Sequence, residues 1–123
     1  MSHIVTVSTE VRDAAAVRTA CRRLNLPEPV EGEVKLFSGT VSGLAVRLPD
    51  WQYPICCELS TGQVRFDNFA GRWGDQQHLD AFLQAYAVEK ARIESRRRGY
   101  SVTEQTLQDG SIKLTIRVNG GAE

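Results

Sequence analysis

The chain has 123 residues, 41% of them hydrophobic and 24% charged, and its 15 basic and 15 acidic side chains cancel to a formal net charge of zero. This is the composition of one ordinary globular domain, able to bury about two thirds of its unfolded surface without a disulfide or metal staple. It excludes a global field that would recruit nucleic acid or a membrane surface, and no apolar run approaches the roughly 20 residues of a membrane span.

The opening, MSHIVTVSTE, lacks the basic region and apolar core of a secretion signal, so a cytoplasmic protein is expected. From His3 to Val11 apolar and polar residues alternate, with Val5, Val7 and Val11 on one side, which predicts a half-buried strand. Asp13 is then a helix N-cap, and Ala14, Val17, Cys21 and Leu24 recur at helical spacing, so Cys21 belongs to a core. LPEPVEGE breaks the helix and reads as a turn. VKLF and TVSGLAVRL form two strands hinged at Ser38-Gly39, with Leu44, Val46 and Leu48 on one face.

YPICCELS and QVRFDNF make a hairpin around Thr61-Gly62. A two-residue turn there sets Glu58 opposite Arg65, Cys57 opposite Phe66 and Cys56 opposite Asp67. Neighbouring strand residues point to opposite faces, so Cys57 lies under the sheet with Ile55, Leu59 and Phe66, while Cys56 lies above it beside Glu58 and Asp67. The two thiols are therefore not a pair, and carboxylates beside Cys56 disfavour its thiolate. Three cysteines make no disulfide framework, which fits a reducing compartment.

After the loop DNFAGRWGD, Asp75 caps a second helix running to about Arg98, with an apolar stripe of Leu79, Phe82, Leu83, Tyr86, Ala87 and Ile93, and Gly99 stops it. Residues 100–118 form a second hairpin. A three-residue loop with Gly110 left-handed sets Val102 opposite Ile116 and Glu104 on the apolar row opposite Leu114. Residues 119–123 read as a flexible tail of this single domain, 1–123. The element order β-α-β-β-β-β-α-β-β predicts an α+β fold: one antiparallel sheet of five to seven strands with both helices on one face.

Chemistry-bearing patterns are few. The phosphate-loop, dinucleotide, zinc-protease and nucleophile-elbow motifs are missing, and His3 and His78 stand alone, so no cofactor or metal is expected. A carboxylate enzyme would have to use Asp67 or Glu104 in a pocket that raises its pKa. Arg96, Arg97 and Arg98 could touch phosphates, but cations at a helix C-terminus already match its dipole. A base-stacking sheet needs exposed aromatics, whereas the outer face reads as mainly Thr, Ser, Lys and Arg, so nucleic acid is not the expected partner. The strongest candidate is the segment carrying Asp67, Asn68, Phe69, Arg72 and Trp73, since aromatics and an arginine on a loop suit a binding anchor. The competing expectation folds Phe69 and Trp73 back onto the second helix to close the core. A protein partner follows from the anchor, and an unpaired edge strand makes a homodimer possible.

Met-Ser-His at the start, Thr-Glu-Val-Arg-Asp before the first helix, FLQAYA in the second, and Val-Thr-Glu-Gln followed by Asp-Gly-Ser-Ile-Lys-Leu near the end resemble a named family. It is the family of hypothetical chloroplast reading frame thirty-five, also catalogued as domain of unknown function twelve fifty-seven. The central CCELSTGQVRFDNFAGRWG fits it more loosely. The resemblance implies no catalytic residues, but implies an accessory role beside an AAA-type ATPase.

Overall fold

The structure is a computed structural model that describes the backbone of residues 5–7 and, in full, residues 10–69 and 71–118. The chain is α+β, and its elements follow the expected order: β1 (Val5–Val7), α1 (Ala14–Arg23), β2 (Val30–Lys35), β3 (Thr40–Val46), β4 (Ile55–Glu58), β5 (Gln63–Phe66), α2 (Gln76–Arg97), β6 (Ser101–Thr106) and β7 (Ile112–Arg117). Among the described residues no helix is long and apolar enough to cross a membrane. Both predicted caps form. Asp13 accepts from the backbone N–H groups of Ala15 (2.9 Å) and Ala16 (3.2 Å), and Asp75 from that of Gln77 (2.9 Å).

The strands do not make one sheet. Five of them form an antiparallel sheet ordered β1-β5-β4-β3-β2, while β6 and β7 pair only with each other. Gly99, with φ 77°, ends α2 and returns the chain along that helix, so the last hairpin packs on α2 instead of reaching the sheet. Its register is the expected one, Val102 opposite Ile116 and Glu104 opposite Leu114, closed by Gly110 at φ 89°.

One face of the main sheet, through Leu44, Val46, Ile55, Cys57, Val64 and Phe66, shares a single core with Val17 and Cys21 of α1 and Leu79, Phe82 and Tyr86 of α2. The Tyr86 hydroxyl accepts from the backbone N–H groups of Arg12 (3.1 Å) and Asp13 (3.2 Å), tying the start of α1 to the middle of α2. On α2 the expected stripe needs one correction: Ala87 is exposed, while Ala85, Val88 and Glu89 are buried. That helix is covered on two sides, by the core and by the hairpin, so its pattern is not a single stripe.

Two local expectations also fail. Val30 to Glu33 continue β2 rather than forming a turn, with Gly32 opposite Gly43. The β4–β5 connection spans Leu59 to Gly62, so Cys57 faces Val64 and Cys56 faces Arg65, two residues from the tight-turn register. The loop is drawn back by tertiary bonds: Val11 N–H donates to the Gly62 carbonyl (2.7 Å) and the Arg12 guanidinium to that of Ser60 (2.9 Å). A shift of two leaves every side chain on its expected face. The proposed Glu58–Arg65 pair survives as a diagonal contact at 3.6 Å. The start of the first predicted strand and the predicted tail at 119–123 lie outside the described residues.

Candidate functional site

The face of the main sheet turned away from the helices is not the polar surface expected. Val34, Leu36 and Cys56 are buried there, with Val41, Ala45 and Tyr53 packed against them. No helix covers this face among the described residues. Loops do, and they bring four aromatic rings together.

The loop begins with two buried polar residues. The Asp67 carboxylate, fully buried, accepts from the Ser38 hydroxyl at 3.1 Å, joining the loop to the β2–β3 turn. The Asn68 carbonyl accepts from the N–H groups of Gly71 (3.0 Å) and Trp73 (2.9 Å), and its side-chain amide donates to the Gly74 carbonyl (3.4 Å). Asp67 and Asn68 thus shape the loop, and it is the residues after them that face solvent. Phe69 sits at φ 48°, a left-handed conformation that bulky residues rarely adopt, with its carbonyl accepting from Arg72 N–H at 3.1 Å.

Trp73 is the hub. Its ring stacks on Phe69 with centroids 4.8 Å apart, lies 4.9 Å from Phe37 and meets Tyr53 edge-on at 5.6 Å. The Arg72 guanidinium sits 5.2 Å from the Phe69 centroid, within cation–π range. Phe37 is 57% exposed, Phe69, Tyr53 and Trp73 are half-buried, and Arg72 is exposed. Trp73 therefore does not close the core. Trp51 does: it packs edge-on to Phe66 at 5.6 Å and donates its indole N–H to the Asp75 carbonyl at 3.0 Å. A Cβ on Gly74 would come within 2.2 Å of that indole, so only glycine fits there.

Phe37 and Tyr53 were missed in the sequence. The signal for Phe37 was a large apolar residue at the tip of a two-residue turn, where Leu36 N–H donates to the Gly39 carbonyl (2.8 Å). Tyr53 gave none, because extending β4 backwards assigns it to the core side, and the loop before the strand turns it over.

Arg96, Arg97 and Arg98 are exposed at the other end of α2, which at about 1.5 Å per residue places them roughly 33 Å from the aromatic loop. Arg97 pairs with Glu94 at 3.6 Å, and Arg96 lines a pocket of about 220 Å³ with Arg92 and Tyr100. The two candidate patches are not one site.

The remaining candidates resolve into structure. Cys21, Cys56 and Cys57 are free and buried. Burial, and secondarily Glu28 and Glu58, pushes the Cys21 and Cys56 thiols up to about 11, and burial pushes Cys57 higher still. Cys57 belongs to the helix-side core and Cys56 to the opposite cluster, so the sulfurs are directed apart. Glu104 bonds Arg23 of α1 and also Arg92 of α2 (3.0 Å), and Arg23 reaches Glu89 at 2.8 Å. The Arg23 bond, more than any other influence, holds the Glu104 carboxyl below its ordinary range, the reverse of the raised pKa an acid catalyst there would need. A cavity of about 480 Å³ lies between α1 and β3, lined by residues that include Arg18, Glu31, Leu44 and Leu59 but neither Asp67 nor Glu104.

Comparison with protein-family models, with curated proteins and with solved structures gives no match.

Proposed function

We propose that this chain is a small, non-catalytic binding or adaptor module whose contact surface is the cluster of Phe37, Tyr53, Phe69 and Trp73 with Arg72. The observation that carries the reading is four mutually packed rings at the surface with Phe37 more than half exposed. Aromatic and arginine side chains dominate the energetics of protein interfaces, and rings already held by one another lose little freedom on binding. A protein partner fits this surface, and the resemblance to the reading-frame family favours an accessory role in a larger, ATPase-containing assembly.

The test is affinity capture from the source cells with wild type and with a Phe37→Ala, Trp73→Ala double variant whose circular dichroism matches it. Partners retained by wild type and lost by the variant are expected; the same partners retained by both would end the proposal.

A second reading is favoured by one observation, that these rings and Arg72 lie on the open face of an antiparallel sheet, where unpaired bases stack in nucleic-acid-binding folds. It requires quenching of Trp73 fluorescence by single-stranded oligonucleotides, weakening steeply with salt. No quenching at low salt would remove it.

A further inference from the structure

The open face of the main sheet carries an apolar hollow beside the ring cluster. Val30 and Val34 of β2 share that face with Ala45 and Val41, their partners across the ladder on β3. With Pro27, Pro54 and Arg47, the residues Val30, Val34 and Ala45 line a cavity of about 400 Å³. Val34 and Ala45 also belong to the cluster on which Tyr53 packs, and the Tyr53 ring meets Phe37 at 6.4 Å, so hollow and rings form one apolar strip. Both ends of the strip are unburied, Val30 being 67% and Phe37 57% exposed. It follows β2, and the six steps from Val30 to Leu36, at about 3.3 Å each, cover roughly 20 Å.

Each end also carries an arginine. Arg47 stands between the core residues Val46 and Leu48, which directs its side chain to the open face and into the wall of the hollow. Arg72 lies over Phe69 at the other end. Among the described residues neither has a carboxylate within ion-pair distance. The acids of this face are engaged: Asp67 is buried against Ser38, and Glu58 accepts from the Thr61 hydroxyl at 2.6 Å and lies 3.6 Å from Arg65. At the rim of the hollow Glu28 pairs with Arg18 at 3.6 Å, while Glu33 and Lys35 add one charge of each sign.

We infer that this strip takes an extended peptide segment of a partner protein, apolar in its middle and carrying a carboxylate toward each end, one for Arg47 and one for Arg72, about six to eight residues apart. The inference rests on the ring cluster being a contact surface and adds the chemistry of the partner. Charge selects the sign of the occupant, since the two unpaired groups that flank the apolar strip are both cations. The spacing of charge selects its class. A single-stranded nucleic acid carries a phosphate on every nucleotide, and the stretch of Val30, Val34 and Ala45 between the arginines offers the intervening phosphates no cation and the bases no aromatic platform. A peptide leaves its middle residues uncharged and can bury them there.

Selection of a displayed library of random peptides, each about twelve residues long, on the full chain tests this. Enriched peptides should place two acidic residues about six to eight positions apart around apolar ones. The tightest of them, followed by fluorescence anisotropy, should lose affinity roughly tenfold on Arg47→Glu and again on Arg72→Glu, both changes at exposed sites, and by a similar factor when its own acids are replaced by amides. A short oligothymidine should not displace it. The inference is overturned by a selection that yields no binders or no acidic bias, by binding indifferent to both charge reversals, by displacement with the oligonucleotide, or by self-association of the free chain that Arg47→Glu abolishes, which would give the face to a second copy. The ring surface is tested separately: peptide binding that survives Phe37→Ala combined with Trp73→Ala would refute it, whereas binding lost in that double variant but independent of acids would overturn this inference alone.

Discussion

The two faces of the five-stranded sheet are built from alternate residues of the same strands, yet they end in opposite conditions. Cys57 and Phe66 lie against two helices in a closed core, with Trp51 sealing the rim. Cys56, one residue away, lies under loops, and the rings gathered there remain half in water. The difference comes from what covers each face. Helices bring a continuous apolar stripe and exclude solvent, whereas the loop here brings polar groups of its own, the Asp67 carboxylate and the Asn68 amide, and leaves large side chains at the surface. The face covered only by loops, around a tryptophan hub, is the one the proposed contact would use.

Substitutions on the two sides should separate accordingly. The largest effect is expected from Trp51→Ala, about 3–5 kcal/mol by chemical denaturation, for a large side chain removed from a closed core. Gly74→Ala should follow, since its Cβ meets the Trp51 indole at 2.2 Å and overpacking of this kind costs about 1–3 kcal/mol or more. Asp13→Ala removes a two-bond cap and should cost about 1 kcal/mol. Glu104→Gln, discounted for its partial exposure, should cost about 0.5–1 kcal/mol at neutral pH. The pH dependence of that last loss has a definite sign. Because the folded carboxyl lies below its unfolded value of about 4.3, its stabilising contribution is complete above that pH and disappears as pH falls through the folded value, so variant and wild type should converge in acid. Phe37→Ala should be the smallest, under about 0.5 kcal/mol, as a change at an exposed site. Equal losses for Trp51→Ala and Phe37→Ala would erase the distinction between the faces.

Much of this was legible along the chain because it rests on local chemistry. Asp13 and Asp75 as caps, Gly99 as a stop and Gly110 as the left-handed loop residue each act within a few residues of themselves. The opposed cysteines survived an error in register, since a slip of two preserves side-chain parity. What failed was non-local. The β4–β5 loop follows residues 11 and 12 rather than its own Thr-Gly preference, and the hairpin's place on α2 is set by where that helix ends. The candidate site shows the same limit: Phe69, Arg72 and Trp73 share one segment and could be found, but Phe37 and Tyr53 join them only through a turn and a loop distant in sequence.

The chain's two tryptophans report one face each, so acrylamide quenching of the single-tryptophan variants Trp51→Phe and Trp73→Phe is the most direct test. Trp73 alone should emit to the red and be quenched readily, while Trp51 alone should emit to the blue and be protected until the protein unfolds. Equal protection of the two indoles, or a more accessible Trp51, would contradict the assignment of one closed and one open face.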